Sequence, residues 1–411
     1  MKRAGMVCML LGALMLLGGC SGGQEIEDCL FVISMAVDPA EGGNLTVTVK
    51  ALSGTQEAVS PQGGSSGGGS GGSSSGAEAS GGQQGQGGSG AQSAAESTEP
   101  GYVVMSATAK SSLAALNLLG ATTPRTVNLS QLQEIVISRT LAETSATLSI
   151  LKEIYALYEA NGGAVVVVTP DHAGDFIRRQ YAMFGVRLSQ YLQVLFDHFE
   201  ELGTVPPDAN LASVIAAMES GMRDAAAVYA AANDFTATLT LPGDSVTDRL
   251  PGHLPRTSPA YNEYLGSAVF SGPRMVGTLT GQETTILRLL LDKAVSTAFA
   301  LDESMVQVSR RSRVKRGLLW ESGMPTLTLD VSMHVILAAG TLSRTDTEIA
   351  AQIERETAAL VAKLQAMGSD LLGYGGLAAR RHADIPSWEA SGWSDAYRQA
   401  HVRSTANLTI R

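Results

Sequence analysis

Three cysteines, six histidines and 39 acidic residues are the groups from which this 411-residue chain could build a reactive centre. The histidines, at positions 172, 198, 253, 334, 382 and 401, form no i,i+4 pair and no His-Glu-x-x-His motif. That spacing is what sets two imidazoles on one helix face around a zinc ion. Paired carboxylates such as Glu200 and Glu201 fall on the polar side of a helical stretch. Gly72-Ser73-Ser74-Ser75-Gly76 has the form of a nucleophile elbow, and Gly85-Gln86-Gly87-Gly88-Ser89-Gly90 that of a dinucleotide-binding fingerprint. Both motifs work only between a strand and a helix, and a Gly/Ser tract supplies neither. No Ser/His/Asp set follows from the order of residues. The sequence therefore assigns no enzyme activity, no metal and no cofactor. Of the thiols, Cys29 stands in an apolar stretch and reads as a small buried hydrophobe. Cys20 has a different setting.

Lys2 and Arg3 precede an almost unbroken apolar run from Met6 to Leu17. The run is shorter than the roughly 20 residues a bilayer span needs, and has the length of an export-signal core. It ends in Leu17-Gly18-Gly19-Cys20, the form of a bacterial lipobox. There the cysteine thiol takes a diacylglyceryl group and the chain is cut before it. Anchoring would rest on the two palmitate-type acyl chains of that group, because each buried CH₂ contributes about 0.8 kcal/mol and one chain alone is marginal. Residues 1–19 are thus expected to be a signal peptide, with Ser21-Gly22-Gly23 a tether behind the lipidated Cys20. The alternative is an ordinary secretory signal or an uncleaved anchor, with Cys20 incidental. Beyond the signal no apolar run approaches 18 residues; Ala164–Val168 is the densest and reads as a buried strand.

The charge, 29 basic against 39 acidic residues, is −10. A general nucleic-acid binder needs a basic stripe to displace phosphate counterions, so no nucleic-acid partner is expected. The 45 glycines are not evenly spread. Residues 54–101 contain no Lys or Arg and are dominated by Gly and Ser. Such a segment cannot bury enough apolar surface to offset its ordering entropy, so disorder is expected there. As a loop within one domain it is tolerable, since each doubling of length costs only about 0.6 kcal/mol.

The elements around it read as follows. Leu30–Val37 and Asn44–Leu52 are β-rich runs around a turn, Leu113–Leu119 is helical, and Glu134–Ser138 is a strand. Leu141–Asn161 reads as a helix, Ala164–Thr169 as a strand, and Asp171 as the cap of a helix reaching Gln180. Val186–Glu201 and Leu211–Tyr229 are helical, and Pro242–Pro259 is a Pro/Gly-rich boundary. Ser267–Phe270 and Met275–Leu279 form a hairpin, Thr326–Leu337 alternates strictly, and Thr345 with Glu348 opens a helix as a capping box. Val402 to Ile410 forms a last strand. The expected fold is multidomain α+β / α/β. A mixed α/β N-terminal domain (20–182, interrupted by 54–101) is followed by a helical middle (183–259). The C-terminal domain (260–411) is expected to be an antiparallel sheet with helices on one side.

Spaced motifs carry a resemblance. The N-terminal ones are Glu25-Ile26-Glu27-Asp28, Val32 to Asp38, Leu45 to Val49, and Thr123 to Ser130 leading into Ile135-Val136-Ile137-Ser138. The C-terminal ones are Gly266-Ser267-Ala268-Val269-Phe270, Val276 to Thr284 with Gly277, Gly281 and Glu283, Asp370-Leu371-Leu372-Gly373-Tyr374-Gly375, Pro386-Ser387-Trp388, Trp393 and Tyr397. In this order, behind a lipobox, they resemble the Ger(x)C family, the C-subunit lipoproteins of spore nutrient-germinant receptors. Ser21-Gly22-Gly23-Gln24 stand where that family usually carries Trp and basic residues, and Tyr158-Glu159-Ala160-Asn161 replace its usual Arg-containing motif.

The resemblance implies a fold of three α/β-type domains and a lipid-anchored, non-enzymatic subunit on the outer face of the spore inner membrane. Its partners would be the multi-pass A subunit and the transporter-like B membrane subunit. The motif residues Gly266, Phe270, Gly277, Gly281, Glu283, Asp370, Gly373, Gly375, Trp388 and Trp393 are expected to make structure or to touch a partner. Turns suit the glycines, core or bracing positions the tryptophans, and an Asx-type turn Asp370. The basic run Arg310-Arg311-Ser312-Arg313-Val314-Lys315-Arg316 reads as a solvated strand edge or loop, or as a contact for anionic lipid or an acidic partner. Alternative functions are a solute-binding lipoprotein of a transporter and an exported lipid-anchored hydrolase.

Overall fold

The computed structural model describes residues 28–53, 101–157, 160–183, 186–233, 249–254, 262–293, 298–301, 304–308, 312–339 and 346–410. The signal, Cys20, the Gly/Ser segment, most of 242–259, Tyr158-Glu159, Arg310-Arg311 and Thr345 lie outside them.

The larger sheet grows outward from four parallel strands, β1 (Cys29–Ala40), β5 (Glu134–Ser138), β6 (Val165–Thr169) and β7 (Ala226–Ala232). β5 and β6 are nearly continuous apolar runs because both of their faces are covered. On one flank β1 pairs with β2 (Asn44–Leu52), which pairs with β3 (Tyr102–Ala109); on the other, β7 pairs with β8 (Asn262–Ser271), which pairs with β9 (Arg274–Leu279). These flanking pairs are antiparallel. The short β4 (Thr126–Asn128) lies parallel to the start of β1, Cys29 opposite Thr126. At the loop end of the β2–β3 hairpin, where Leu52 stands opposite Tyr102, Ser53 N donates to Gly101 O at 2.9 Å.

Alternation along the strands sends Ile135, Ile137, Val166 and Val168 to one face. That face is covered by α1 (Ser112–Gly120), α2 (Arg139–Ala142), α3 (Thr147–Tyr155) and α6 (Leu211–Ser220). Val136, Val167 and Val228 point to the other face, beneath α4 (Ala173–Arg178) and α5 (Leu188–Leu202). α4 is held by Asp38 at the end of β1, whose carboxylate accepts from Ala173 N at 2.8 Å and Gly174 N at 2.9 Å.

A second sheet contains β10 (Ala298–Leu301), β11 (Ser304–Val308), β12 (Arg313–Glu321), β13 (Met324–Ala339) and β14 (His401–Ile410). β13 is its spine, paired with β11, β12 and β14. Leu327, Leu329, Val331, Met333 and Val335 alternate along it into a core shared with α7 (Gly281–Leu290) and α8 (Asp346–Met367). The short helices α9 (Tyr374–Ala379), α10 (Ile385–Glu389) and α11 (Trp393–Arg398) close that core before β14.

The mixed α/β character agrees with the sequence; several placements do not. The middle is not purely helical: the helix from Leu211 stops at Ser220, where Gly221 takes φ +60, and the alanine-rich run that follows is β7. Pairing with β6 and β8 overrides the helix preference of alanine there. The 262–279 hairpin belongs to the larger sheet through β7, not to the C-terminal one. The C-terminal sheet is not wholly antiparallel, since β14 runs parallel to β13. Leu141–Asn161 breaks into α2 and α3, and the cap of α4 is the distant Asp38 rather than Asp171.

Candidate functional site

The C-terminal motif residues surround the seam between the two sheets. β8 and β9 approach so closely at Gly266, whose φ is +87, that a Cβ there would lie 2.2 Å from the Leu279 carbonyl oxygen. Phe270, four residues further along β8, is fully buried. Gly277, on β9, faces the Met367 side chain at the end of α8. The chain then turns into α7 at Gly281 through a capping box: Glu283 N donates to Thr280 Oγ1 at 3.2 Å, and Thr280 N to Glu283 Oε2 at 2.8 Å. The same carboxylate receives Lys363 Nζ at 2.6 Å, which ties α7 to α8.

Behind α8 the chain enters the Asp370–Gly375 turn. Ser369 Oγ donates to the Phe270 carbonyl at 2.6 Å, joining this turn to β8. Asp370 is buried and accepts from Tyr374 N at 2.9 Å, Gly375 N at 2.5 Å and Trp393 Nε1 at 3.3 Å. Gly373 takes φ +71 in this turn, and a Cβ on Gly375 would lie 2.8 Å from Met222 O and 3.2 Å from Asp370 Oδ2. Trp393 packs between Trp388 and Tyr397, with ring centroids 6.2 and 6.0 Å away. Tyr374 Oη donates to Thr328 O at 3.0 Å, reaching β13. Arg316 donates to Leu372 O from β12.

A second carboxylate completes the seam. Asp224, just before β7, accepts from Gly272 N and Asp370 N, both at 2.7 Å. Burial pushes the Asp370 carboxyl up to about 6 against the opposing pull of the amides and Trp393, and it also raises Asp224. Burial likewise raises the Tyr374 and Tyr397 phenols. Each carboxylate oxygen of this pair already receives an N–H from the chain, so the pair is fitted to hold backbone rather than to exchange protons with a substrate. Among the described residues no cluster of three or more His, Cys, Asp or Glu is arranged for a metal ion.

The structure thus gathers the motif residues around one seam, yet the sequence missed Asp224, Ser369 and Lys363. Asp224 and Asp370 are 146 positions apart, and no local spacing signals their pairing. Of the basic run, Arg313 and Lys315 are exposed on β12. A separate buried polar cluster lies under α4 and α5: Glu134 receives Ser34 Oγ at 2.9 Å, Tyr264 Oη at 3.3 Å and the Gln180 amide, while Lys50 Nζ donates to Gln180 O. Desolvation raises the Glu134 carboxyl, and these donors partly offset it.

Comparison with known proteins places these motifs. Residues 22–231 match the family described as spore germination protein N-terminal domain, and residues 265–411 match spore germination B3/GerAC like, C-terminal. All ten motif residues fall within the second match. No curated protein matches. A solved structure, described as the crystal structure of the GerBC protein, is similar with 12% identity and a TM-score of 0.44, over 92% of this chain and 96% of that one. With both matches covering most of its length, the chain belongs to the GerAC family of spore germination proteins.

Proposed function

We propose that the protein is a lipid-anchored, non-enzymatic subunit of a spore germinant receptor, held on the exported face of the spore inner membrane. It would act beside the multi-pass A and integral-membrane B subunits and help nutrient signals trigger germination. Family membership across both halves carries this reading. The lipobox supports the anchor. Among the described residues no helix is long and apolar enough to cross a membrane, so attachment would rest on Cys20. Nine residue steps separate Cys20 from Cys29, the first residue of β1. At 3.3–3.6 Å per residue the start of β1 would stay within about 32 Å of the lipid. A solute-binding lipoprotein would call for two lobes of like architecture, and the two sheets here differ in strand direction and connection.

The test is Cys20→Ala exchange in spores, with membrane fractionation and germination kinetics. The expected outcome is loss of the protein from the membrane fraction and slowed germination. A variant that remains in the membrane fraction and germinates at the normal rate would overturn the anchored-subunit reading.

A further inference from the structure

α1 departs from the pattern of a surface helix. Its residues, Ser112–Gly120, include no charged side chain. Ala115, Leu116 and Leu119 turn into the core, yet Leu113 is 41% and Leu118 50% exposed, on either side of the exposed Asn117. A helix on the surface of a soluble domain normally sets charged and polar groups outward. One that is apolar all round belongs where something other than water covers it. Beside α1 runs a groove of about 460 Å³, lined by its Leu113 and Leu116, by Leu157 beyond α3, and by Pro124, Arg125 and Val127 at β4.

The position of this face says what covers it. β4 lies against the start of β1, with Cys29 opposite Thr126 and Leu30 opposite Val127, and both β4 residues line the groove. The chain that comes up from Cys20 therefore meets the fold at the groove's own wall. Adjacent strands lie about 5 Å apart, so that wall stays within about 37 Å of the lipid even with the tether fully stretched. Charge does not favour an electrostatic contact. Among the described residues Arg125 is the one charged lining group, and its Nη1 already donates to Ser53 O at 2.8 Å. Glu153 accepts from the Ser112 and Leu113 amides at 3.2 and 3.0 Å, and Asp28 is exposed beside Cys29. Attraction to anionic headgroups needs a basic cluster, and the tether adds Glu25 and Glu27 instead. What remains is apolar contact at the interface, where side chains of a helix sink about 5–10 Å into the boundary of headgroups and acyl chains. We propose that the outer arc of α1 and the adjoining groove rest on the lipid surface, so that the protein lies with this face down on the membrane. This rests on the anchored reading of Cys20.

The experiment reconstitutes the lipidated chain in phosphatidylcholine vesicles, with a polarity-sensitive NBD fluorophore on one introduced cysteine. Asn117→Cys sets the probe in the middle of the arc, and Gln193→Cys sets it at an exposed position of α5, across the sheet. Cys29→Ala removes the buried native thiol from both. Flotation with the vesicles reads the anchor, and the probe reads the face. The probe at 117 should shift to the blue and lose about half or more of its emission to doxyl-labelled lipid, as a depth of about 5–10 Å requires. The probe at 193 should do neither, and high salt should change nothing. Leu113→Asp with Leu118→Asp should return the 117 probe to water while the chain still floats. Should that pair lower the melting temperature, Leu118→Asp alone, at the more exposed position, makes the same test. A chain that does not float overturns the anchored reading and this proposal with it. A chain that floats while the 117 probe stays in water, or responds no more than the 193 probe, overturns the face-down contact alone. So does a blue shift at 117 without quenching by doxyl lipid, which would show the face covered by the chain's own tether or by a second copy.

Discussion

Asp224 and Asp370 grip each other's backbone: Asp370 N donates to Asp224 Oδ2 at 2.7 Å, and Asp224 N returns a bond to Asp370 O at 3.1 Å. One residue leads into the larger sheet and the other follows the longest helix, so this reciprocal clasp fixes how the two parts of the chain meet. Both carboxyls are raised by burial, which makes the seam sensitive to protons.

Acid should therefore strengthen the seam over a defined range. The Asp370 carboxyl stands at about 6 in the folded protein against 3.8 for the ordinary group. The folded state then binds its proton at higher pH than the unfolded chain. The stability this contributes is complete below 3.8 and is lost as pH rises through about 6. At about 1.4 kcal/mol per unit, the swing is of order 2–3 kcal/mol. Urea unfolding at intervals from pH 4.5 to 7.5 should show a steeper fall for the wild type than for Asp370→Asn. Equal slopes would count against it.

Removing the other half of the clasp should be expensive at any pH. Asp224→Ala leaves Gly272 N and Asp370 N without their acceptor. Two part-buried amides left unsatisfied cost about 2–4 kcal/mol. Thermal unfolding measures this directly, and a loss below 1 kcal/mol would mean that water replaces the carboxylate.

Two glycines with positive φ should respond very differently to alanine. Gly266 adds a collision with the Leu279 carbonyl to its φ of +87, whereas Gly272, with φ +55, has nothing within 4 Å of an added Cβ. Gly272→Ala should cost about 1 kcal/mol, the backbone penalty alone. Gly266→Ala adds strain and overpacking, about 3 kcal/mol or more. Comparable losses in melting temperature for the two would refute the close-approach argument.

The Glu283 carboxylate has two duties of unequal worth. It closes the capping box of α7 and pairs with Lys363, whose side chain is 36% exposed. Glu283→Ala should cost about 1–2 kcal/mol through the lost cap, and Lys363→Met less than about 1 kcal/mol through a partly solvated ion pair. A double-mutant cycle in denaturant separates the two contributions, and the reverse ranking would place the stability in the ion pair.

Glu134→Leu should be among the most damaging single changes in the larger sheet. Ser34, Gln180 and Tyr264 would all lose an acceptor in a fully buried setting. A cost of about 3–5 kcal/mol is expected, read as a shift in urea midpoint at constant m-value. A shift equivalent to less than 1 kcal/mol would show the cluster to be dispensable.

What could be read from the sequence was whatever a local pattern encodes. β13 announces itself by strict alternation, and Leu327 to Val335 are buried on one side as that pattern requires. β5 and β6 show as short apolar runs. β7 does not, because an alanine-rich buried segment fits a helix or a strand until its neighbours are known. β3 was missed because it begins at the edge of the Gly/Ser segment and is only half-buried along its length. The clasp at the seam and the Asp38 cap on α4 join residues more than a hundred positions apart. Such contacts are products of the fold and have no sequence period.

The bond from Ser53 N to Gly101 O has a practical meaning. It seals the hairpin at its base, so the register of β2 against β3 is set without regard to the length of what lies between. Residues 54–100 occupy a position where cargo of many sizes could be spliced in or taken out. That makes the hairpin a ready-made port for a reporter, an epitope or a crosslinkable tag, through which the protein could be followed in a living spore without disturbing either sheet.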